Sequence, residues 1–339
     1  MESNVSQWMS PQVQSQACAF FAIEVRSLAV MGDMENYVYQ GVSNQQRLVL
    51  RLTHSSHRNE DEILAEMEFI DYLHRSGCDV ANPVLSKNYS LVETINLPDS
   101  TCFFVCCFQH ATGRLTDPAN PNDFNPTLYR LWGYATGQMH YYSRLMPRTK
   151  HQRRAWHESE YLDLNRYMPH SEDRMLREAA EPLLKNLKSR FLHCEWGLEI
   201  GLIHADLHQG NFFLHERGIT AFDFDDSQID WYANDIAVIL YSVVGTVGRL
   251  DENRDLEAYG REFFQYFLEG YRCFCEPQTE WPELIPLLLR MREIVLWGLY
   301  RKKFDPAVLS GPDSEFWKRR RDRIAKSIVP IPISFLEDN

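Results

Sequence analysis

Eight cysteines are scattered along this 339-residue chain without a C-x-x-C pair or a regular spacing. That excludes a zinc ribbon or a disulfide scaffold and leaves buried free thiols of a reducing compartment as their reading. The amino terminus, MESNVSQWMSPQVQSQACAFF, has neither the basic n-region nor the apolar h-region of a secretory signal, so a cytoplasmic location is expected. The most apolar run, DIAVILYSVVGTVG, reads as too short for a bilayer span, and no membrane partner is expected. No internal repeat and no low-complexity segment interrupts the pattern. Positive charge is scarce, with 35 Lys and Arg against 47 Asp and Glu and a net charge of -12. This disfavours a general affinity for nucleic acid and is compatible with a cationic substrate. The dense cationic stretch WKRRRDRIAK reads as a solvated or self-paired helix face. What is present is a hydrophobic content of 44% and an aromatic content of 13%, enough for a large folded core in one large or two ordinary domains.

Residues 1–111 read as a small α+β unit, in which roughly the first 15 residues are expected to be loosely ordered. NYVYQGVS and RLVLRLTH are strand-like and flank a turn at SNQQ, which predicts a hairpin. NEDEILAEMEFIDYLHRSG predicts an amphipathic helix, with Asn59 as N-cap, an apolar stripe of Ile63, Met67 and Ile70, and Gly77 as the stop. SLVETI and TCFFVCCF add two strands, so the β-β-α-β-β order predicts a small antiparallel sheet with a helix packed on it. After the Pro-, Asn- and Asp-rich QHATGRLTDPANPNDFNP, residues 112–339 show mainly helical periodicity and read as a second, larger unit.

The chemistry concentrates in GLIHADLHQGNFFLHERGITAFDFDDS, Gly201 to Ser227. His204 and His208 are spaced like the ligands of H-E-x-x-H, but Ala205 stands where the glutamate belongs and Gly210-Asn211 opposes a continuing helix, which counts against a zinc hydrolase. NFFLHERGITAFDFDD predicts a hairpin turning at Arg217-Gly218, which brings Asp223 back toward Asn211 with Asp206 nearby. Two oxygen donors so held suit Mg²⁺. The third, Asp206, is then available to orient a hydroxyl and accept its proton during attack on phosphorus.

Asp206 to Asn211 is D-x-x-x-x-N, the interval of a kinase catalytic loop, and FDFDD lies where a metal-binding D-F-G is expected. With HADLHQGN, FDFDD, NDIAVIL and GQMH together, the chain resembles the aminoglycoside phosphotransferase and choline kinase-like superfamily. The resemblance implies a two-lobed protein-kinase-like fold, α+β, with a small antiparallel-sheet lobe and a larger mainly helical lobe. It implies Asp206 as catalytic base, Asn211 and Asp223 as Mg²⁺ ligands, Asp235 as a carboxylate bracing the loop from a helix start, and His204 as a packing and hydrogen-bonding residue. For the nucleotide, ATP, it implies a covering loop at VMGDMENYVYQGV with Gly32, though without G-x-G-x-x-G, and backbone groups around Phe108 to His110 for the adenine. Arg51 stands where the family has a lysine, with Glu66 as its ion-pair partner and Glu62 one turn earlier as the fallback. His208 lies near the phosphates or in a solvated loop.

Asp225, Asp226 and Asp230 have two readings: a hydrated acidic turn, or carboxylates facing a cationic acceptor, with Trp231 as a cation-binding wall or as core. Only a short segment separates Asp223 from Asp235, without the long activation loop and A-P-E of regulated protein kinases. That favours a small-molecule hydroxyl as acceptor, such as an amino alcohol or aminosugar. A Ser/Thr protein kinase and a catalytically silent nucleotide-binding module are the alternatives. The expected assembly is a monomer or homodimer.

Overall fold

The computed structural model describes residues 3–33, 35–304 and 311–338. They group into two units, and neither is one continuous stretch. The first takes Met1–Arg114, Met146–Arg153 and Phe213–Asp225; the second takes Leu115–Leu145, Arg154–Phe212 and Asp226–Asn339.

In the first unit, α1 (Ser3–Ser6) and α2 (Pro11–Phe20) precede a five-stranded sheet. Its strands are β1 (Ala29–Gly32), β2 (Tyr37–Ser43), β3 (Gln46–His54), β4 (Glu93–Asn96) and β5 (Cys102–Gln109), in the order β1-β2-β3-β5-β4 with antiparallel pairing throughout. The predicted β2–β3 hairpin turns through Asn44 and Gln45, both at positive φ, the backbone twist that a two-residue hairpin loop requires. Strand alternation then sorts the side chains. Leu48, Leu50 and Leu52 of β3 join Tyr37, Tyr39, Phe103, Val105 and Cys107 in one apolar cluster, closed by Val13, Ala17 and Cys18 of α2. Arg51 falls on the opposite face and meets α3 (Glu60–Arg75). That helix starts as predicted. Asn59 and Glu62 form a capping box, Ile63, Met67 and Ile70 are buried, and Gly77 follows its end at φ +90.

Within the leader, expected to be loosely ordered, the described residues form α1 and α2: the Val13 amide donates to the Ser10 side chain, capping α2, and Val5 and Val13 are buried in the cluster that covers the sheet face. Met1 and Glu2, part of the same expectation, lie outside the described residues, as does Met34 of the expected covering loop. The edge strand β1 carries an exposed pattern and had no periodic signal in the sequence.

The second unit holds α4 (Pro126–Leu145), α5 (Leu164–Tyr167), α6 (Arg174–Phe191), α7 (Tyr232–Leu250), α8 (Leu256–Tyr271), α9 (Trp281–Lys303) and α10 (Gly311–Ala325). An antiparallel pair, β6 (Ile200–Ile203) and β9 (Gln228–Trp231), joins them. The chain passes through β7 (Phe212–His215) and β8 (Gly218–Ala221), a hairpin that turns at Glu216-Arg217, one residue before the predicted position. α7 is longer than its apolar run suggested. At 19 residues it is long and apolar enough to cross a bilayer by length and composition, and 61% of that window is buried inside the fold, as for a core helix. α4 and α8 touch at backbone distance. A Cβ at Gly133 would overlap the Phe267 carbonyl, and one at Gly137 would stand 2.6 Å from the Tyr271 carbonyl oxygen.

Candidate active site

The loop after β6 is held by a carboxylate from the first turn of α7. Asp235, 1% exposed, accepts the Ala205 amide at 2.6 Å on Oδ1 and the His204 amide at 3.2 Å on Oδ2. His140 of α4 meets Oδ2 through Nε2 at 3.0 Å and the Tyr271 hydroxyl through Nδ1 at 3.0 Å. Burial holds His140 below its usual pKa against the pull of Asp235, so the ring is neutral, with Nε2–H donating to the carboxylate and Nδ1 accepting from the tyrosine. The two braced amides lock a sharp bend in which Ala205 sits at φ +64, a left-handed conformation a non-glycine residue adopts only when its surroundings impose it. The brace expected of Asp235 is therefore present as geometry.

That bend sets Asp206. Its amide donates to His204 Nδ1 at 3.3 Å, which gives the buried His204 the packing and hydrogen-bonding place expected for it. The Asn211 side-chain Nδ2 donates to the Asp206 carbonyl at 3.0 Å and to Oδ2 at 3.2 Å. The side-chain oxygen of Asn211 is thereby left as its outward donor atom, a hard ligand of the kind a divalent cation takes. In the first unit, Asp223 is exposed and sits at φ +64. His208 Nε2 lies 3.5 Å from Asp206 Oδ2, and its Nδ1 accepts the Gly210 amide at 2.9 Å. Burial lowers the His208 pKa, with Asp206 pulling the other way. Sequence reasoning missed Arg292 in α9, whose Nη2 donates to Asp206 Oδ1 at 2.5 Å. It lies 86 residues away, with no local signal to connect the two.

In the first unit the expected Arg51–Glu66 pair is present and bidentate: Nη1 to Oε1 and Nη2 to Oε2, both 2.7 Å, at 5% and 0% side-chain exposure. Burial opposes the Arg51 charge, and Glu66 more than offsets it, holding the guanidinium well above its usual pKa. Its plane lies over the Phe108 ring at 5.2 Å. Glu62, the fallback partner, is occupied in the capping box. Gly32 ends β1 with open space where a Cβ would stand. The Gln109 and His110 amides already donate to the Asn82 and Arg47 carbonyls, so the backbone offered to a base at this stretch is its carbonyls and later amides. The His110 ring lies against Phe213 at 5.9 Å, and Phe213 against Phe222 at 4.8 Å.

The acidic cluster is corrected. Asp225 is neither hydrated nor offered to a substrate: His57 Nε2 lies 2.9 Å from Oδ2, Arg58 Nε lies 3.5 Å from Oδ1, and Arg58 and Arg153 both donate to its carbonyl. Burial resists its charge, but Arg58, then His57 and Arg51, keep the carboxyl well below the usual range. Asp230, fully enclosed, accepts the Trp231 amide at 2.7 Å and the Gln228 and Asn234 side chains at 2.8 and 2.6 Å. Trp231 is core, packed against Trp156 and Phe191. Both acidic residues are buried because each has donors of its own, which composition alone does not reveal. Among the described residues, Glu35, His57 and Asp225 bring three potential metal-ligand atoms within 4.8 Å of one another, but the two arginines on Asp225 make that a poor place for a cation. His204 and His208 belong to no such cluster among the described residues, which leaves the zinc reading without a site.

Comparison with known proteins gives the family. Residues 28–277 match the phosphotransferase enzyme family. The chain is 32% identical to amicoumacin kinase of Bacillus subtilis (strain 168) over 307 residues, 90% of this chain and 88% of that one. Among solved structures, an amicoumacin kinase in complex with AMP-PNP, Ca²⁺ and Ami superimposes with a TM-score of 0.92 at 31% identity over 100% of both chains. A microcompartment-associated aminopropanol kinase shares the fold, with a TM-score of 0.69 at 20% identity over 94% of this chain and 95% of that one. The chain belongs to the phosphotransferase enzyme family, as a kinase of protein-kinase-like fold that takes a hydroxyl group as acceptor.

Proposed function

We propose that the chain transfers the γ-phosphoryl group of ATP to a hydroxyl of a small molecule, using Mg²⁺, and that amicoumacin or a related hydroxyl-bearing antibiotic is the first acceptor to test. The observation that carries this reading is the braced loop: Asp235 fixes the Ala205 and His204 amides, and Asn211 fixes Asp206, so one carboxylate is held in a single orientation before any substrate arrives. Asp206 orients the attacking hydroxyl and accepts its proton. The Asn211 side-chain oxygen and the Asp223 carboxylate would hold the divalent ion, and Arg51, held by Glu66, would meet the nucleotide phosphates. When bound, that ion would supply charge neutralisation at the phosphates. Most of the rate enhancement in such a transfer comes from positioning and charge neutralisation, with proton removal a smaller contribution. The amicoumacin kinases at 31–32% identity over nearly the whole chain support a small-molecule acceptor.

Purified protein incubated with MgATP and amicoumacin, or with a library of hydroxyl metabolites, should yield a product heavier by one phosphoryl group. Asp206→Ala should lower kcat by roughly 10²- to 10⁴-fold while leaving MgATP binding nearly intact. Asp223→Ala should lose metal-dependent nucleotide binding. Phosphotransfer at the wild-type rate by the Asp206→Ala protein would refute the assignment.

A further inference from the structure

Two features of the site bear on what the acceptor carries beside its hydroxyl. The carboxylates that suggested a cationic acceptor are engaged internally, Asp230 by three donors and Asp225 by His57, Arg58 and Arg153. The ionic group on Asp206 is itself a cation, Arg292, with both side chains 18% exposed. Asn211 donates to Oδ2, so one oxygen of Asp206 is held in place without Arg292. The guanidinium carries five N–H donors in a fixed fork. Its Nη2 contacts Asp206, and its buried Nε has no hydrogen-bond partner among the described residues. A buried donor without a partner is costly, and this one belongs to the guanidinium that contacts the reacting carboxylate. Along α9, Val295, Leu296 and Leu299 follow Arg292 at i+3, i+4 and i+7 and are half-buried, so the same helix face continues as an apolar strip.

We propose that Arg292 is a specificity-determining residue that binds a carbonyl, carboxamide or carboxylate oxygen of the acceptor, close to the hydroxyl that Asp206 orients. This rests on the kinase reading above. Asp206 and Arg292 form a two-point receptor: the hydroxyl donates to the carboxylate, and the neighbouring oxygen accepts from the guanidinium. An ammonium group next to the reacting hydroxyl meets a fixed positive charge and is disfavoured. Amino alcohols are therefore poor acceptors unless their cation lies well away from the hydroxyl.

The test compares wild-type protein, Arg292→Ala and Arg292→Lys, each with MgATP, on 3-hydroxybutanamide and 3-hydroxybutanoate against 1-amino-2-propanol and choline. Wild type should show kcat/KM at least tenfold higher on the two oxo-bearing acceptors. Arg292→Ala should raise KM for those two by tenfold or more, with KM for MgATP unchanged, and so narrow the preference over the amino alcohols by tenfold or more. Arg292→Lys, which keeps the charge but loses the fork, should recover only part of the preference, most of it for the carboxylate. Thermal melting of the three proteins controls for folding, and should Arg292→Ala melt early, the Lys variant and the wild-type preference decide. A uniform fall in kcat across all four acceptors, with KM unmoved, makes Arg292 a support for Asp206 and overturns the proposal, as does wild-type preference for the amino alcohols or failure to use either oxo-bearing compound. Failure to bind MgATP or turn it over with any acceptor removes the kinase reading instead.

Discussion

Two aspartates five residues apart in the sequence are held in different charge states by what each one touches. Asp225 has Arg58 and His57 on its carboxylate and stays ionised to low pH, despite burial. Asp230 has only neutral donors, and burial pushes its carboxyl up to about 8 from 3.8. The folded chain therefore keeps a proton at Asp230 that the unfolded chain has released. Because the folded pKa is raised, the stability linked to this proton is complete below pH 3.8 and is lost as pH rises through about 8. His140, whose pKa is lowered by burial, gives a slope of the opposite sign, but only below its unfolded value of 6.5, and it is common to both proteins compared. Asp230→Asn should thus gain on wild type between pH 6 and 8, by up to about 1.4 kcal/mol per pH unit. Urea unfolding at pH 6, 7 and 8 measures this, and parallel pH profiles for the two proteins would rule it out. The sequence showed a cluster of acids in FDFDDSQID but not their states, because the groups that decide Asp225, Arg58 and His57, come from positions 167 and 168 residues away.

At the scale of elements, the path from α4 to the reacting loop begins with two glycines. Gly133 and Gly137 let α4 lie against the α8 backbone at Phe267 and Tyr271, and Gly270 of α8 does the same against Arg130. At that separation His140, one turn beyond Gly137, reaches both the Tyr271 hydroxyl and Asp235. The G-x-x-H spacing was visible in GQMH, and so was the helical period of both segments. What the sequence did not show was the partner, since α8 lies about 130 residues further on and its own glycine spacing is not distinctive. Gly133→Ala should destabilise the protein by about 1–3 kcal/mol, because the atom in the way is a helix carbonyl that cannot swing aside. Gly245→Ala in α7 is the control. Its Cβ would meet only the end of the Arg249 side chain at 3.7 Å, so better helix propensity should leave stability unchanged or raised by about 1 kcal/mol. Equal denaturant midpoints for the two variants would remove the close-packing account.

Over the whole molecule, the order of elements was readable and the composition of the units was not. Periodicity and turn residues are local signals, so the hairpin, α3 and the long helices could be placed from them. The first unit, however, is completed by two segments that return to it, Met146–Arg153 and Phe213–Asp225. They pair backbone with it, Ala81 N–H to the Ala221 carbonyl at 2.8 Å and Ala221 N–H to the Asp79 carbonyl at 3.0 Å. They stack Phe224 edge-on against Phe69 of α3. They also supply Arg153 to the Glu62 carbonyl and Asp225 to His57 and Arg58. A boundary drawn on composition cuts all of these. A fragment ending at Arg114 would keep the sheet, α3 and the Arg51–Glu66 pair, but would leave the buried Arg58 without its carboxylate, a loss of about 3–5 kcal/mol for a buried pair deprived of one partner. Against a domain stability of roughly 5–15 kcal/mol, that loss together with the missing backbone pairs should abolish cooperative folding. The fragment 1–114 should show far-UV helix and strand signal with little near-UV structure and a broad urea transition. In the full chain, amides of β3 and α3 should exchange slowly and together. A sharp urea transition and native-like exchange protection in the fragment would mean that the returning segments decorate a unit already able to fold without them.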